Sequence, residues 1–276
     1  MGFADNAEII TSRTNARVKQ LRAAFAGQAR LSGGMVAIEG DNLLGEALRS
    51  GMVLKTIFVS ERRELPRFVP RSIEVIWLSE DVFGSVVETQ SPQGIAALLV
   101  PPVRSLEDVL TGTPLILVAA GLQDPGNLGT LVRSAEAFGA TGVATTPGTV
   151  SAWNQKALRA SAGSLFRVPV VGVTLEELAE LKSRGLALMA AVAEDSRDAV
   201  EAQDTEFVGS TAILIGNEGA GLSGELLELA DVQVTIPCPG KVESLNAAVA
   251  GSLLLYEASR QRASAHKSQS ASKFKI

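Results

Sequence analysis

The sequence predicts an α/β protein with two units, the second a mostly parallel sheet with helices on both faces. Three observations lead to this. Short apolar runs with strand character alternate with helical patterns along the 276 residues. In the second half the alternation is regular, and strands separated by helices pair in parallel and are covered on both sides. Pro101-Pro102 then interrupts the pattern ahead of a linker-like stretch from Val103, which places a boundary there.

The elements follow in order. Asn15 to Phe25 reads as a short amphipathic helix, because Val18, Leu21 and Phe25 have the i, i+3, i+7 spacing of one face. Met35 to Ile38 is a strand ending at Glu39-Gly40, and Leu43 to Ser50 a helix with Gly51 just past its end. Strands at Leu54 to Val59 and Val75 to Leu78, a helix at Asp81 to Thr89 and a strand at Gly94 to Val100 complete the first unit. In the second, strands are expected at 115–119, 142–145, 168–171, 187–191, 211–215 and 233–236. Helices are expected at 127–138, 153–160, 175–183, 223–230 and 244–262. The expected domains are 1–108, a smaller N-terminal α/β domain; 109–262, the larger domain; and 263–276, a Ser- and Lys-rich tail without fixed structure.

Composition narrows the function classes. Apolar residues make up 46% of the chain, enough for a buried core. No apolar run reaches the ~18–20 residues that cross a bilayer. Met1 to Ile10 is neither basic nor followed by an apolar stretch, which argues against a signal peptide. The one cysteine, Cys238, leaves no internal disulfide and no cysteine-based zinc site, and the one histidine, His266, lies in the polar tail. A cytoplasmic, metal-free protein is the expectation. Net charge is −5, so nucleic-acid binding would depend on local basic groups. Arg13, Arg17, Lys19 and Arg22 form one such cluster; Arg260, Arg262, Lys267, Lys273 and Lys275 form another. A solvated helix face and a solubilising tail are the respective alternatives.

Three segments of the second unit carry chemistry. Leu122 to Ala135 follows a strand and opens a helix, with Asp124 and Asn127 as possible N-caps and Gly126 and Gly129 permitting close approach. A helix start after a strand suits an anionic or polar ligand. Arg133, between one and two turns in, is a directed cation or else a surface arginine. Ile213 to Ser223 is an apolar strand feeding a glycine loop spaced G-x-x-G-x-G, the reverse of the dinucleotide fingerprint. A dehydrogenase is therefore disfavoured, while a nucleoside held by backbone groups at the carboxyl end of the sheet remains open beside a plain tight turn. Ile236 to Gly251 begins as an irregular loop, after which Ser244 is expected to cap a helix of small residues with Asn246 in its first turn. Cys238 has no histidine nearby in sequence, so a Cys–His pair is not expected.

Together, Asn127-x-Gly129-x3-Arg133-Ser134-Ala135, Gly216-Asn217-Glu218-Gly219-x-Gly221 and Ile236-Pro237 with Val242-Glu243-Ser244-Leu245-Asn246 resemble the three signature motifs of the SpoU/TrmH family of RNA 2′-O-ribose methyltransferases. They occur in the family's order, and the resemblance spans about 115 to 262. Arg159-Ala160-Ser161-Ala162-Gly163 also resembles a family stretch. The resemblance implies a deep trefoil knot in the C-terminal domain, which pattern reading alone would not suggest. It implies S-adenosylmethionine held in that knot, with Gly216, Gly219, Ile236 and Leu245 at cofactor-contacting positions and residues around Thr145 to Gly148 near the same pocket. It implies Arg133 as the residue that activates the hydroxyl, helped by a substrate phosphate, with Asn127, Glu218, Ser244 and Asn246 positioning it, the ribose or the cofactor. Because an arginine is normally protonated, stabilisation of the developing oxyanion is as plausible as proton abstraction. A homodimer through the C-terminal domain is implied as well. Met35 to Gly40 followed by Leu43 to Leu48 resembles the substrate-binding domain of rRNA-type members, which makes rRNA the expected partner and Arg13, Arg17, Lys19 and Arg22 candidate RNA contacts. A tRNA 2′-O-methyltransferase and a non-catalytic RNA-binding protein of ribosome assembly are the alternatives.

Overall fold

The computed structural model describes residues 8–27, 34–89, 91–193, 196, 198–242 and 244–273. In chain order its first elements are β1 (Ile9–Ile10), α1 (Ala16–Phe25), β2 (Val36–Glu39), α2 (Asp41–Arg49), β3 (Val53–Ser60), β4 (Glu74–Leu78), α3 (Glu80–Gly84) and β5 (Ile95–Val100). There follow β6 (Leu115–Ala119), α4 (Pro125–Ala137), β7 (Gly142–Thr145), α5 (Gln155–Ser161), β8 (Val170–Gly172), α6 (Leu175–Ser183) and β9 (Ala187–Ala191). The chain continues through β10 (Val200–Glu201), β11 (Thr211–Ile215), α7 (Gly224–Leu229), β12 (Val232–Thr235) and α8 (Ala247–Lys273). The described residues fall into two compact units, one within Met1–Val103 and Trp153–Phe166, the other within Arg104–Ala152 and Arg167–Ile276.

The first unit is a five-stranded mixed sheet in the order β1-β4-β3-β5-β2. Helix α1 starts where the Asn15 side chain accepts a hydrogen bond from the Arg17 amide at 2.8 Å. It buries Val18, Leu21, Ala24 and Phe25 against Phe58, Leu78, Ala96 and Leu98 of the sheet. Each large apolar side chain buried in this way contributes roughly 1.5–3 kcal/mol. Segment 153–166 packs with this unit: α5 returns to it, and the Gln155 side-chain amide donates to the Ala37 carbonyl at 2.8 Å.

The second unit is a seven-stranded sheet in the order β10-β12-β9-β11-β6-β7-β8, every pairing parallel. Its central strands β6 and β11 are apolar runs buried along their length, as a sheet covered on both faces requires. Ile116, Val118, Leu188 and Leu214 pack with Leu178 and Leu181 of α6 and Leu226 of α7. Leu117 and Ile215 face the other side, where α8 crosses. A Cβ on Gly251 would lie 2.5 Å from Leu131 of α4, 3.2 Å from Ile215 and 3.3 Å from Leu117. Glycine therefore sets how closely α8 approaches the sheet and α4.

Several elements differ from expectation. The two-residue strands β1 and β10 are too short to show periodicity. Helix α3 ends at Gly84, short of Thr89. The last helix begins at Ala247 and is capped by Asn246, whose side chain accepts from the Ala248 and Val249 amides at 2.9 and 3.2 Å; Ser244 is not the cap. It runs on to Lys273, across most of the stretch expected to lack fixed structure. Extending a formed helix through Ala, Ser, Gln and Lys costs little once it is nucleated.

The basic clusters are largely engaged. Arg262 donates to the carbonyls of Phe207, Thr113 and Pro114 at 2.9, 2.8 and 2.9 Å, and to Gly209 at 2.5 Å, tying α8 to the segments that enter β6 and β11. Burial lowers its guanidinium pKa from the ordinary arginine value. Arg260 pairs with Glu257 at 2.6 Å. These two residues of the tail cluster are thus structural; Lys275 lies outside the described residues, as do the side chains of Lys267 and Lys273. In the N-terminal cluster, Arg13 pairs with Asp81 at 2.5 Å and Arg17 with Glu74 at 2.8 Å. Arg22 reaches the Arg13 carbonyl and Ser85 at 3.5 Å each, and Lys19 is exposed. Exposed pairs of this kind are worth about 0–1 kcal/mol, so either arginine can exchange its partner for a phosphate.

Candidate active site

The site lies at the carboxyl ends of β9, β11 and β12, where loops of an open parallel sheet form a crevice. The loop after β11 is closed on itself. Asn217 and Gly221 exchange backbone hydrogen bonds at 2.9 and 3.0 Å, with Gly221 in the left-handed region at φ 69°. The Asn217 carboxamide completes the turn, accepting from the Gly219 and Ala220 amides at 2.9 and 3.1 Å. Its amide group donates to the Gly121 carbonyl at 2.9 Å, joining this loop to the one after β6. A Cβ on Gly216 would lie 2.3 Å from the Gly221 carbonyl carbon, which explains glycine there.

Glu218 projects from this loop to the start of α4. Its carboxylate accepts from the Asn127 side chain at 2.8 Å and from the Gln123 and Asp124 amides at 3.4 Å each. Asn127 in turn accepts from the Asn246 side chain at 3.1 Å, while Asn246 caps α8. One hydrogen-bonded chain, Asn246 to Asn127 to Glu218, therefore links all three segments. Asp124 caps α4 by accepting from Gly126 at 2.6 Å, which leaves Asn127 in the first turn available for this role. Burial pushes the Glu218 carboxyl upward, but the bonds from Asn127 and from the backbone of Glu218, Gln123 and Asp124 outweigh it, and the net pKa lies below the ordinary value.

A carboxyl depressed in the folded state contributes stability that is present above its unfolded pKa, about 4.3, and is lost as pH falls through the lower folded pKa. The melting temperature of the wild type is expected to keep this contribution from neutral pH down to about pH 5. Glu218→Gln should remove the acid-limb component, and a wild-type loss setting in above pH 6 that the variant abolishes would contradict the assignment.

Beside this chain is a cavity of about 350 Å3, within the range of small-molecule sites. Ala191, Ile215, Val234, Ala250 and Leu254 give it apolar walls. Gly216, Gly219 and Gly221 present backbone, and Ile236, Cys238, Ser244 and Leu245 close it from the loop before α8. A Cβ on Gly219 would meet only Asn217 Oδ1, at 3.7 Å, so the space beside the loop is open. Apolar walls with a side-chain-free rim fit a ligand that joins an apolar ring to polar edges, the chemistry of an adenosine group.

The structure thus brings Gly216, Gly219, Ile236, Leu245, Ser244 and Glu218 to one cavity, with Asn127 and Asn246 bonded beside it. It does not bring Thr145. That hydroxyl donates to Val171 at 3.3 Å on β7, separated from β11 by β6, and Gly148 instead accepts from Gln123 at 2.7 Å. Arg133 is not in the cavity wall; it is exposed on α4 and its side chain makes no hydrogen bond or ion pair with another described residue. Asn217, which the sequence offers only as part of the glycine-loop motif, and Ala191 to Ala193 after β9, which it does not single out, also belong to the site. An asparagine following the strand glycine was a readable turn signal for Asn217, whereas the contribution of β9 depends on its pairing with β11.

A model of the SpoU rRNA Methylase family matches residues 114–256, and a model of the MRM3-like substrate binding domain matches residues 15–97. The 23S rRNA (guanosine(2553)-2′-O)-methyltransferase RlmP of Bacillus subtilis is 37% identical over 248 residues, covering 90% of this chain and 97% of that protein. A 23S rRNA (uridine(2479)-2′-O)-methyltransferase of Streptomyces viridochromogenes is 31% identical over 268 residues, covering 92% of this chain and 93% of that protein. The crystal structure of the SpoU methyltransferase AviRb from Streptomyces viridochromogenes in complex with AdoMet matches with a TM-score of 0.80 and 30% identity, covering 91% of this chain and 99% of that one.

Proposed function

The chain belongs to the SpoU rRNA methylase family, and from that premise we propose that it transfers a methyl group from S-adenosylmethionine to a ribose 2′-hydroxyl of ribosomal RNA. The observation that carries this reading is the hydrogen-bonded chain Asn246–Asn127–Glu218 beside a cavity with an apolar wall and a glycine rim.

S-adenosylmethionine supplies a methyl group on a sulfonium, open to in-line displacement by oxygen. Gly216, Gly219, Ile236 and Leu245 would hold it, largely through backbone and apolar contact. A ribose hydroxyl is a weak nucleophile until its proton leaves or the oxyanion is stabilised. Arg133, unengaged on α4, is the group that meets the developing oxyanion together with a substrate phosphate. Asn127 and Asn246 orient the ribose, and the anionic Glu218 fixes the rotamer of Asn127. The order β9-β11-β6, with α8 crossing this face after the loop 236–246, is compatible with the trefoil threading expected of the family. rRNA is favoured over tRNA by the match of residues 15–97 to a substrate-binding domain. A cytoplasmic location is part of this reading, supported by bacterial rRNA methyltransferase relatives such as that of Bacillus subtilis; separately, among the described residues no helix is long and apolar enough to cross a membrane. Tritiated methyl transfer to deproteinised rRNA and to bulk tRNA tests the reading: label in rRNA is expected, and label in tRNA alone would overturn the substrate.

Two copies pair through α8. Val249, Leu253 and Tyr256 are 47%, 43% and 53% exposed and repeat at i, i+4, i+7, an apolar stripe on a helix face; Tyr256 packs edge-on to Phe138 at 5.7 Å. In sedimentation velocity the wild type is expected as a dimer and Leu253→Glu as a monomer. A monomeric wild type would contradict this pairing.

A further inference from the structure

The first unit holds a second cavity, of about 370 Å3, which methyl transfer does not use. Its wall is polar. Glu39, 9% exposed at the end of β2, is fixed by the Thr89 hydroxyl at 3.0 and 2.8 Å and by the Gln93 amide at 2.8 Å. Asn42 and Glu46 line the wall from α2, and Gln155 and Arg159 from α5.

Gln155 is the informative residue. It is 7% exposed, and its amide nitrogen donates to the Ala37 carbonyl at 2.8 Å. That bond sets the orientation of the carboxamide, so Oε1 is the atom left over, and it has no hydrogen-bond partner among the described residues. Oε1 is not among the fully buried atoms that lack a partner, so it is reachable from the cavity and open to a donor from a ligand. Arg159 lies one turn further along α5, on the same face; it is exposed and its side chain makes no hydrogen bond or ion pair with another described residue. Gly163 holds this wall in place. Its φ is 90°, and a Cβ there would lie 2.6 Å from the Glu46 side chain, so glycine lets the end of α5 press on α2. The stretch Arg159 to Gly163, which the methyl-transfer chemistry leaves unexplained, thereby has a place.

The ligand must offer N–H donors at depth and a negative charge at the rim. Carboxylates at depth repel an anion, and the unengaged guanidinium at the mouth attracts one. We propose that this cavity takes one unpaired nucleotide of the RNA substrate, its base N–H edge against Gln155 Oε1 and Glu39 and its phosphate against Arg159. The assignment rests on the RNA reading above. Unpaired bases read on their edges are the usual target of sequence-specific RNA recognition.

Filter binding of the full chain to deproteinised rRNA tests it, with S-adenosylmethionine affinity measured in parallel. Gln155→Leu also removes the donor to Ala37, so Asn42→Ala and Arg159→Ala, at exposed positions, test the idea independently of folding. Each is expected to raise the Kd for rRNA about tenfold, with S-adenosylmethionine binding unchanged. Arg159→Ala alone should also lower the slope of log K against log salt by about one. Unchanged rRNA affinity in both exposed variants would overturn the proposal. So would a nucleoside 5′-monophosphate that binds the cavity while rRNA affinity stays unchanged in the variants, since the site would then serve a free nucleotide. Failure of the wild type to bind rRNA at all would instead sink the functional reading beneath it.

Discussion

Arg133→Ala is expected to lower methyl transfer to rRNA by about 10²–10³-fold while S-adenosylmethionine affinity stays within about twofold. The separation arises because Arg133 is outside the cavity proposed for the cofactor and its side chain has no hydrogen bond or ion pair to another described residue, so its removal strands no buried group. What is lost is a cation placed against charge that develops only in the transition state, and such a loss appears in kcat more than in binding. Arg133→Lys keeps the charge but not the planar fork that grips a hydroxyl and a phosphate together, and should recover only part of the rate. Isothermal titration with S-adenosylmethionine beside single-turnover methylation checks both halves. Wild-type turnover by Arg133→Ala would remove this residue from the mechanism.

Gly216→Val is expected to show the opposite pattern, weakening S-adenosylmethionine binding by about 10- to 100-fold, the equivalent of ~1–3 kcal/mol of overpacking. A Cβ at this position would lie 2.3 Å from the Gly221 carbonyl carbon and 2.5 Å from its oxygen, backbone atoms that cannot rotate aside. The Asn217–Gly221 closure must then open, and with it the rim of the cavity. Gly209→Ala, where a Cβ meets nothing within 4 Å, is the control in the same unit. Equal affinity in Gly216→Val and the wild type would show that the glycine rim does not form the cofactor site.

The parallel sheet was legible because its strands are short apolar runs whose ends coincide with turn residues; β6, β7, β9 and β11 match expectation residue for residue. The site was legible as motifs but not as geometry. Nothing local distinguishes Ser244 from Asn246 as the cap of α8, since either side chain type can accept from a helix amide; only Asn246 does so, and its bond to Asn127 spans 119 positions. That Thr145 does not line the cavity was hidden for a similar reason: its separation depends on β6 lying between β7 and β11. The engagement of Arg13 and Arg17 was hidden because their partners, Asp81 and Glu74, are 68 and 57 positions away. Composition also underestimated α8, because a polar, Ser-rich stretch continues a helix more readily than it starts one.

The central claim is that the accepting atom is a ribose oxygen of rRNA. The most direct measurement is to methylate deproteinised rRNA with tritiated S-adenosylmethionine and then hydrolyse it in alkali. A 2′-O-methyl group blocks attack on the neighbouring phosphodiester, so the account predicts that the label emerges in an alkali-resistant dinucleotide. Label released in a mononucleotide, on the base, would contradict it.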